Sequence, residues 1–167
     1  MLSSILLTTN ITSKEKEDYD YSTTFFNREG DNWKVLDIGI KYDLLTKLIV
    51  LREYTFIASI EKGLQMIKAF SPDKNVFIDC SVEPVGLIYT DDLSIEYYKV
   101  NDFEKSVNEL NLALANNKIL FDRHCRLAQG DLEDFKYDKK NPGKFRTNRD
   151  GFVACLRTAM TYYGGIN

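Results

Sequence analysis

The stretch Trp33–Phe70, WKVLDIGIKYDLLTKLIVLREYTFIASIEKGLQMIKAF, most constrains what this chain can become, because it is the longest apolar-rich run and the natural seat of a core. In its first part Leu36, Ile38, Ile40 and Tyr42 recur at period two, with Asp37, Gly39 and Lys41 between them. That alternation predicts a half-buried strand. Lys47 to Ala58 is more densely apolar and suits a central strand. Periodicity alone also permits a helix starting within Asp43–Arg52. The β-forming run Tyr54-Thr55-Phe56-Ile57 that follows favours the strand. Ser59 is an N-cap candidate for a helix with Ile60, Leu64 and Ile67 on one stripe. Gly63 inside that helix costs about 1 kcal/mol relative to alanine. Ser71-Pro72-Asp73 ends it.

Around this centre the chain reads as further short elements. Residues 2–9 suit an edge strand, and Ser13–Asp20 (SKEKEDYD) a charged, solvated loop. Tyr21–Asn27 is rich in β-branched and aromatic residues and closes in turn chemistry at Arg28–Asn32. Asn75–Cys80, Val85–Tyr89 and Ser94–Val100 are β-like runs separated by Pro84 and Thr90-Asp91-Asp92. Asn101 with Glu104 makes a capping-box-like start to a helix through Phe103, Val107, Leu110 and Leu114. Lys118–Phe121 reads as a strand, Gly130–Arg149 as a polar and basic loop region, and Asp150–Tyr163 as a last helix stopped by Gly164-Gly165. Strands outnumber helices and tight turns join them. The expected architecture is a single α+β domain over residues 1–167, with a mainly antiparallel sheet and about three helices packed on it.

Composition bounds the partners. The chain has 167 residues, enough for one well-filled core, and a formal net charge of −3. Residues 1–100 hold 11 basic and 16 acidic groups, whereas residues 101–167 hold 11 and 9. The acidic part argues against a general nucleic-acid binder and leaves room for a local basic patch. Three cysteines, Cys80, Cys125 and Cys155, without a CxxC pair fit reduced thiols in a cytoplasmic protein. The N-terminus lacks the basic region of a signal peptide, and no run reaches the length of a membrane span.

Catalytic equipment is hard to find. The one histidine, His124, adjoins Cys125, and on a strand neighbouring side chains point to opposite faces, so a Cys–His nucleophile pair is not built there. Pairing of His124 with Cys80 or Cys155 stays open. Zinc-ligand spacing, phosphate-binding glycine loops and a GxSxG elbow are all absent from the sequence. No catalytic residue, metal ligand set or cofactor is therefore assigned.

Three functional expectations remain. The first is a non-catalytic protein-binding module, in the manner of a bacterial immunity or antitoxin protein that inhibits a toxic nuclease. It would cover that basic partner's active site with Glu83, Asp91, Asp92, Glu96, Tyr97 and Tyr98, and with Asp37 and Glu53 alongside. The second is a nucleic-acid-associated protein using Lys136, Lys139, Lys140, Lys144, Arg146 and Arg149, interleaved with Tyr137 and Phe145. The third is a metal-dependent, nuclease-like enzyme centred on Asp79, Glu96 and Lys99, since carboxylates on neighbouring strands hold magnesium.

Overall fold

A computed structural model describes residues 7–9, 19–43, 47–71, 74–79, 95–98, 103–134 and 151–164. In chain order the elements are β1 (Leu7–Thr9), β2 (Tyr21–Glu29), β3 (Asn32–Asp43), β4 (Lys47–Ala58), α1 (Ile60–Phe70), β5 (Asn75–Asp79), β6 (Ile95–Tyr98), α2 (Phe103–Ala115), β7 (Ile119–Asp122), α3 (Arg126–Asp134) and α4 (Gly151–Gly164). The seven strands form one sheet in the order β1-β7-β4-β3-β2-β5-β6. Its centre is the expected antiparallel meander β2-β3-β4, and this is the α+β architecture read from the sequence. The flanks differ: β5 joins β2, β6 joins β5, β7 joins β4 and β1 joins β7, each in parallel.

The alternation within β3 decides the layers. Leu36, Ile38 and Ile40 join one buried cluster with Tyr21, Phe25, Leu48, Val50 and Phe77, beneath residues of α2, α3 and α4. Trp33 and Val35 point the other way and meet Phe26, Val76, Ile78 and the α1 residues Leu64 and Ile67. The sheet is therefore covered on both faces. A β-bulge between Gly39 and Ile40 shifts the β3–β4 register, which lets Leu51 and Val50 both be buried.

Helix α1 begins where the sequence predicts. Ser59 caps it, its hydroxyl accepting from the Lys62 N–H at 3.3 Å. The helix-weakening glycine also has a packing reason. A Cβ at Gly63 would stand 2.9 Å from Cε1 of buried Phe26 and 3.2 Å from Cγ2 of Val35. Gly63 thus sets how closely α1 lies on β2 and β3. Two local readings are corrected. Arg123 to Cys125 form a turn after β7, not strand, and the polar run Arg126–Asp134 is a fourth helix. The expected strand Val85–Tyr89 and the loop Ser13–Asp18 lie outside the described residues.

Replacing Gly63 by valine should lower unfolding free energy by about 1–3 kcal/mol through overpacking, although valine is the better helix former. Denaturant titration checks this; a variant as stable as the parent would mean that α1 lies farther from the sheet.

Candidate functional site

Strand β5 is short and largely apolar, lies between β2 and the edge strand β6, and ends in a carboxylate residue, Asp79. Its parallel register with β2 sets Asp79 beside Phe25, and its register with β6 sets it beside Tyr98. Phe25 belongs to the face covered by α4, as does Phe77 two residues before Asp79. The helix is fastened there by backbone contacts. Thr23 Oγ1 donates to the Cys155 carbonyl at 2.9 Å, and Cys155 Sγ lies 3.5 Å from the Leu36 carbonyl. Along this stretch α4 contributes Phe152, Val153, Ala154, Cys155 and Leu156, all buried. The same helix also buries Arg157 and Thr158.

Asp37 and Glu53, expected alongside the acidic surface, lie on opposite faces of the sheet. Asp37 is fully buried on the α1 face, where the Thr24 hydroxyl donates to its Oδ1 at 2.6 Å and Arg52 Nη2 lies 3.6 Å from Oδ2. Burial raises its pKa to about 6, against the opposing pull of Thr24 and Arg52. Glu53 works on the opposite face. Its two oxygens accept from the Leu127 and Ala128 N–H groups at 2.9 and 2.7 Å, so it caps α3 from another element. Partial burial raises its pKa despite those two donors. Glu96 is exposed on β6, in register with Phe77 and so on the same face as Asp79 by strand alternation. Tyr97 and Tyr98 complete β6 beside Ile78 and Asp79. Glu83, Asp91, Asp92 and Lys99 lie outside the described residues, as do Lys136, Lys139, Lys140, Lys144, Arg146 and Arg149. The last six belong to the segment that joins α3 to α4. Where that segment ends, the Phe152 N–H donates to Asp131 Oδ2 at 2.8 Å.

The thiols offer no nucleophile pair among the described residues. His124 is 59% exposed and its Nδ1 lies 3.3 Å from Asp122 Oδ1. Cys125 and Cys155 are buried, with sulfurs directed at the carbonyls of Val50 and Leu36. What sequence reasoning missed is the Arg52 cluster: its guanidinium stacks 4.1 Å from the Tyr19 ring centre and 4.9 Å from that of Tyr54. In the sequence the tyrosines are only strand-forming residues and Arg52 a lone charge.

A sheet of this order with one helix on one face and three on the other is the fold of the nuclease domains of phage large terminases. No protein-family model and no curated protein matches the chain. Among solved structures, the large terminase nuclease domain of bacteriophage SPP1 with bound Mn superposes with a TM-score of 0.70 at 15% identity, over 96% of this chain and 97% of that one. The P22 large terminase nuclease domain gives 0.71 at 12% identity, over 98% and 95%. The large terminase of a thermophilic bacteriophage gives 0.71 at 14% identity over 93% of this chain, which spans 42% of that longer protein.

These likenesses overturn the reading as a non-catalytic immunity or antitoxin inhibitor, because the whole described sheet and its helices follow nuclease domains. The expectation of a basic protein partner followed from the inhibitor reading and has no separate support. Nor does a metal centre follow from the fold. Among the described residues no group of three or more His, Cys, Asp or Glu side chains could hold a metal ion. The β2 position beside Asp79 is Phe25, and α4 buries Arg157 and Thr158 among its apolar residues. No described helix is long and apolar enough to cross a membrane.

Glu53→Ala should unfix α3. We expect a loss of about 1 kcal/mol, the usual cost of a removed cap, with faster amide exchange at Leu127 and Ala128. Unchanged exchange there would show that α3 is held by packing alone.

Proposed function

We propose that this chain is a nuclease-type domain that acts on DNA. The observation that supports it is co-extension: the likeness runs over 96–98% of this chain and 95–97% of two isolated terminase nuclease domains. A chance similarity of a few strands would not match both ends of both chains. Fold alone does not assign chemistry. Asp79 is the residue we assign to the reaction, because it ends a strand paired in parallel on both sides, the place where open α/β sheets carry ligands. Its work there would be to hold charge or a proton beside the scissile phosphate.

The basic segment is assigned to the DNA backbone. Lys136, Lys139, Lys140, Lys144, Arg146 and Arg149 would neutralise phosphates, with Tyr137 and Phe145 available for stacking on unpaired bases. Glu96 is kept as a second carboxylate on the same face. A cytoplasmic location belongs to the same proposal and is supported by Cys125 and Cys155, which are buried as thiols and not as a disulfide.

The test is DNA cleavage by the purified chain with magnesium or manganese added, alongside Asp79→Asn. We expect cleavage in the parent and a loss of about 10²-fold or more in the variant, the scale on which removal of one charge-stabilising group shows. Cleavage that persists undiminished in Asp79→Asn would remove Asp79 from the reaction. Separately, replacing Lys139, Lys140 and Lys144 by glutamine should weaken DNA binding at every sequence. The slope of log affinity against log salt should shrink by about 0.9 for each phosphate no longer neutralised. An unchanged slope would exclude the segment as the phosphate-binding element.

A further inference from the structure

On the sheet face away from α4, one polar cluster joins four elements. Asp37 lies in the row Tyr54–Asp37–Thr24–Ile78, next to the row Thr55–Leu36–Phe25–Asp79 that ends at the candidate site. Arg52 bridges from Asp37 to the end of α1. Its Nη2 reaches Ser71 Oγ at 2.6 Å and its Nη1 donates to the Phe70 carbonyl at 3.1 Å. Tyr19, just ahead of β2, binds the same two groups through its hydroxyl, at 2.7 Å and 3.0 Å. Lys68 then ties the turn into β5 by donating to the carbonyls of Ser71 and Lys74, at 3.3 and 3.1 Å. Space for Arg52 is reserved in the sequence, since a Cβ at Gly39 would stand 2.8 Å from its Cγ.

A buried Asp–Arg pair is poor evidence of net stabilisation, because desolvation offsets the attraction. Its geometry here has another effect: the groups that Arg52 grips are the last residue of α1 and the C-cap, four residues before β5 begins. We propose that Asp37 and Arg52 form a proton-linked clasp fixing the turn from α1 into β5, so that the seating of the strand ending in Asp79 loosens as pH rises from the acid into the neutral range. The significance for Asp79 rests on the nuclease reading; the clasp does not.

The direction follows from linkage. Any opening that hydrates Asp37 returns its pKa from about 6 toward 3.8 and so releases a proton above that lower value. Stability from this group is full below the lower pKa and is lost as pH rises through the higher one. The other titratable or charged groups facing the cluster are Arg52 and Tyr54 from β4, Tyr19 ahead of β2, and Lys68 and Lys74 at the turn. Thr24 from β2 donates a hydrogen bond to Asp37, with the Ser22 hydroxyl on the same face. Tyr19 is itself raised by burial, which keeps it neutral throughout this range. Asp37 is left as the group that titrates.

The experiment is amide hydrogen exchange by NMR at about pH 4.5 and about pH 7, corrected for intrinsic rates, on the parent chain and Asp37→Asn. Protection of the β5 amides Val76–Ile78 should fall about tenfold toward neutral pH in the parent. The β7 amides Leu120 and Phe121 should fall less, and Asp37→Asn should show no such fall in β5. Equal changes in β5 and β7, or a slope that survives Asp37→Asn, would overturn the clasp. Should that variant not fold, the carboxyl-carbon shift of Asp37 in the parent decides. A midpoint near 6 supports the clasp and one in the ordinary aspartate range refutes it. Exchange that behaves as expected in a chain without DNA cleavage would keep the clasp and sink the nuclease reading.

Discussion

Strand β2 is buried on both faces, and most of the molecule follows from that constraint. From Tyr21 to Phe26 every residue is inaccessible, yet three in the middle, Ser22, Thr23 and Thr24, are polar. Buried polar groups must find partners or cost free energy. Thr23 finds the Cys155 carbonyl and so fixes α4; Thr24 finds Asp37 and so commits β3 to carrying a buried carboxylate. That carboxylate in turn requires a cation, which Arg52 supplies from β4. The seating of α4 on one face and a buried charge pair on the other are thus consequences of one strand buried on both sides.

The local elements were largely legible because they are encoded locally. Period-two alternation marked β3, Ser59 marked the start of α1, and the Val107, Leu110 and Leu114 spacing marked α2. Non-local partners were not legible. Helix α3 is polar, and its N-terminal turn is satisfied by Glu53, 74 residues before Leu127. The run Arg126–Asp134 taken alone shows no cap. Asp37 sits on the polar side of an alternating strand and looks solvated; α1, further along the chain, covers that side. The parallel pairing of β5 with β2 is invisible for the same reason, since the two strands are far apart in sequence.

In the sequence Asp79 is only one carboxylate of a possible metal site with Glu96 and Lys99, and its register partner Phe25 comes only from the sheet order. Charge in sequence does not specify face. Asp37 and Glu53, grouped by composition, lie on opposite sides of the sheet and serve a buried pair and a helix terminus. Two residues of the same charge can therefore do unrelated work a few ångströms apart.

The bond between Asp131 and the Phe152 N–H ties α3 to the first turn of α4, at either side of the basic segment. A loop whose ends are already pinned by the folded body changes its closure entropy only logarithmically with length, about 0.6 kcal/mol per doubling. Changes in the length of chain between Asp131 and Phe152 are therefore expected to cost little closure entropy.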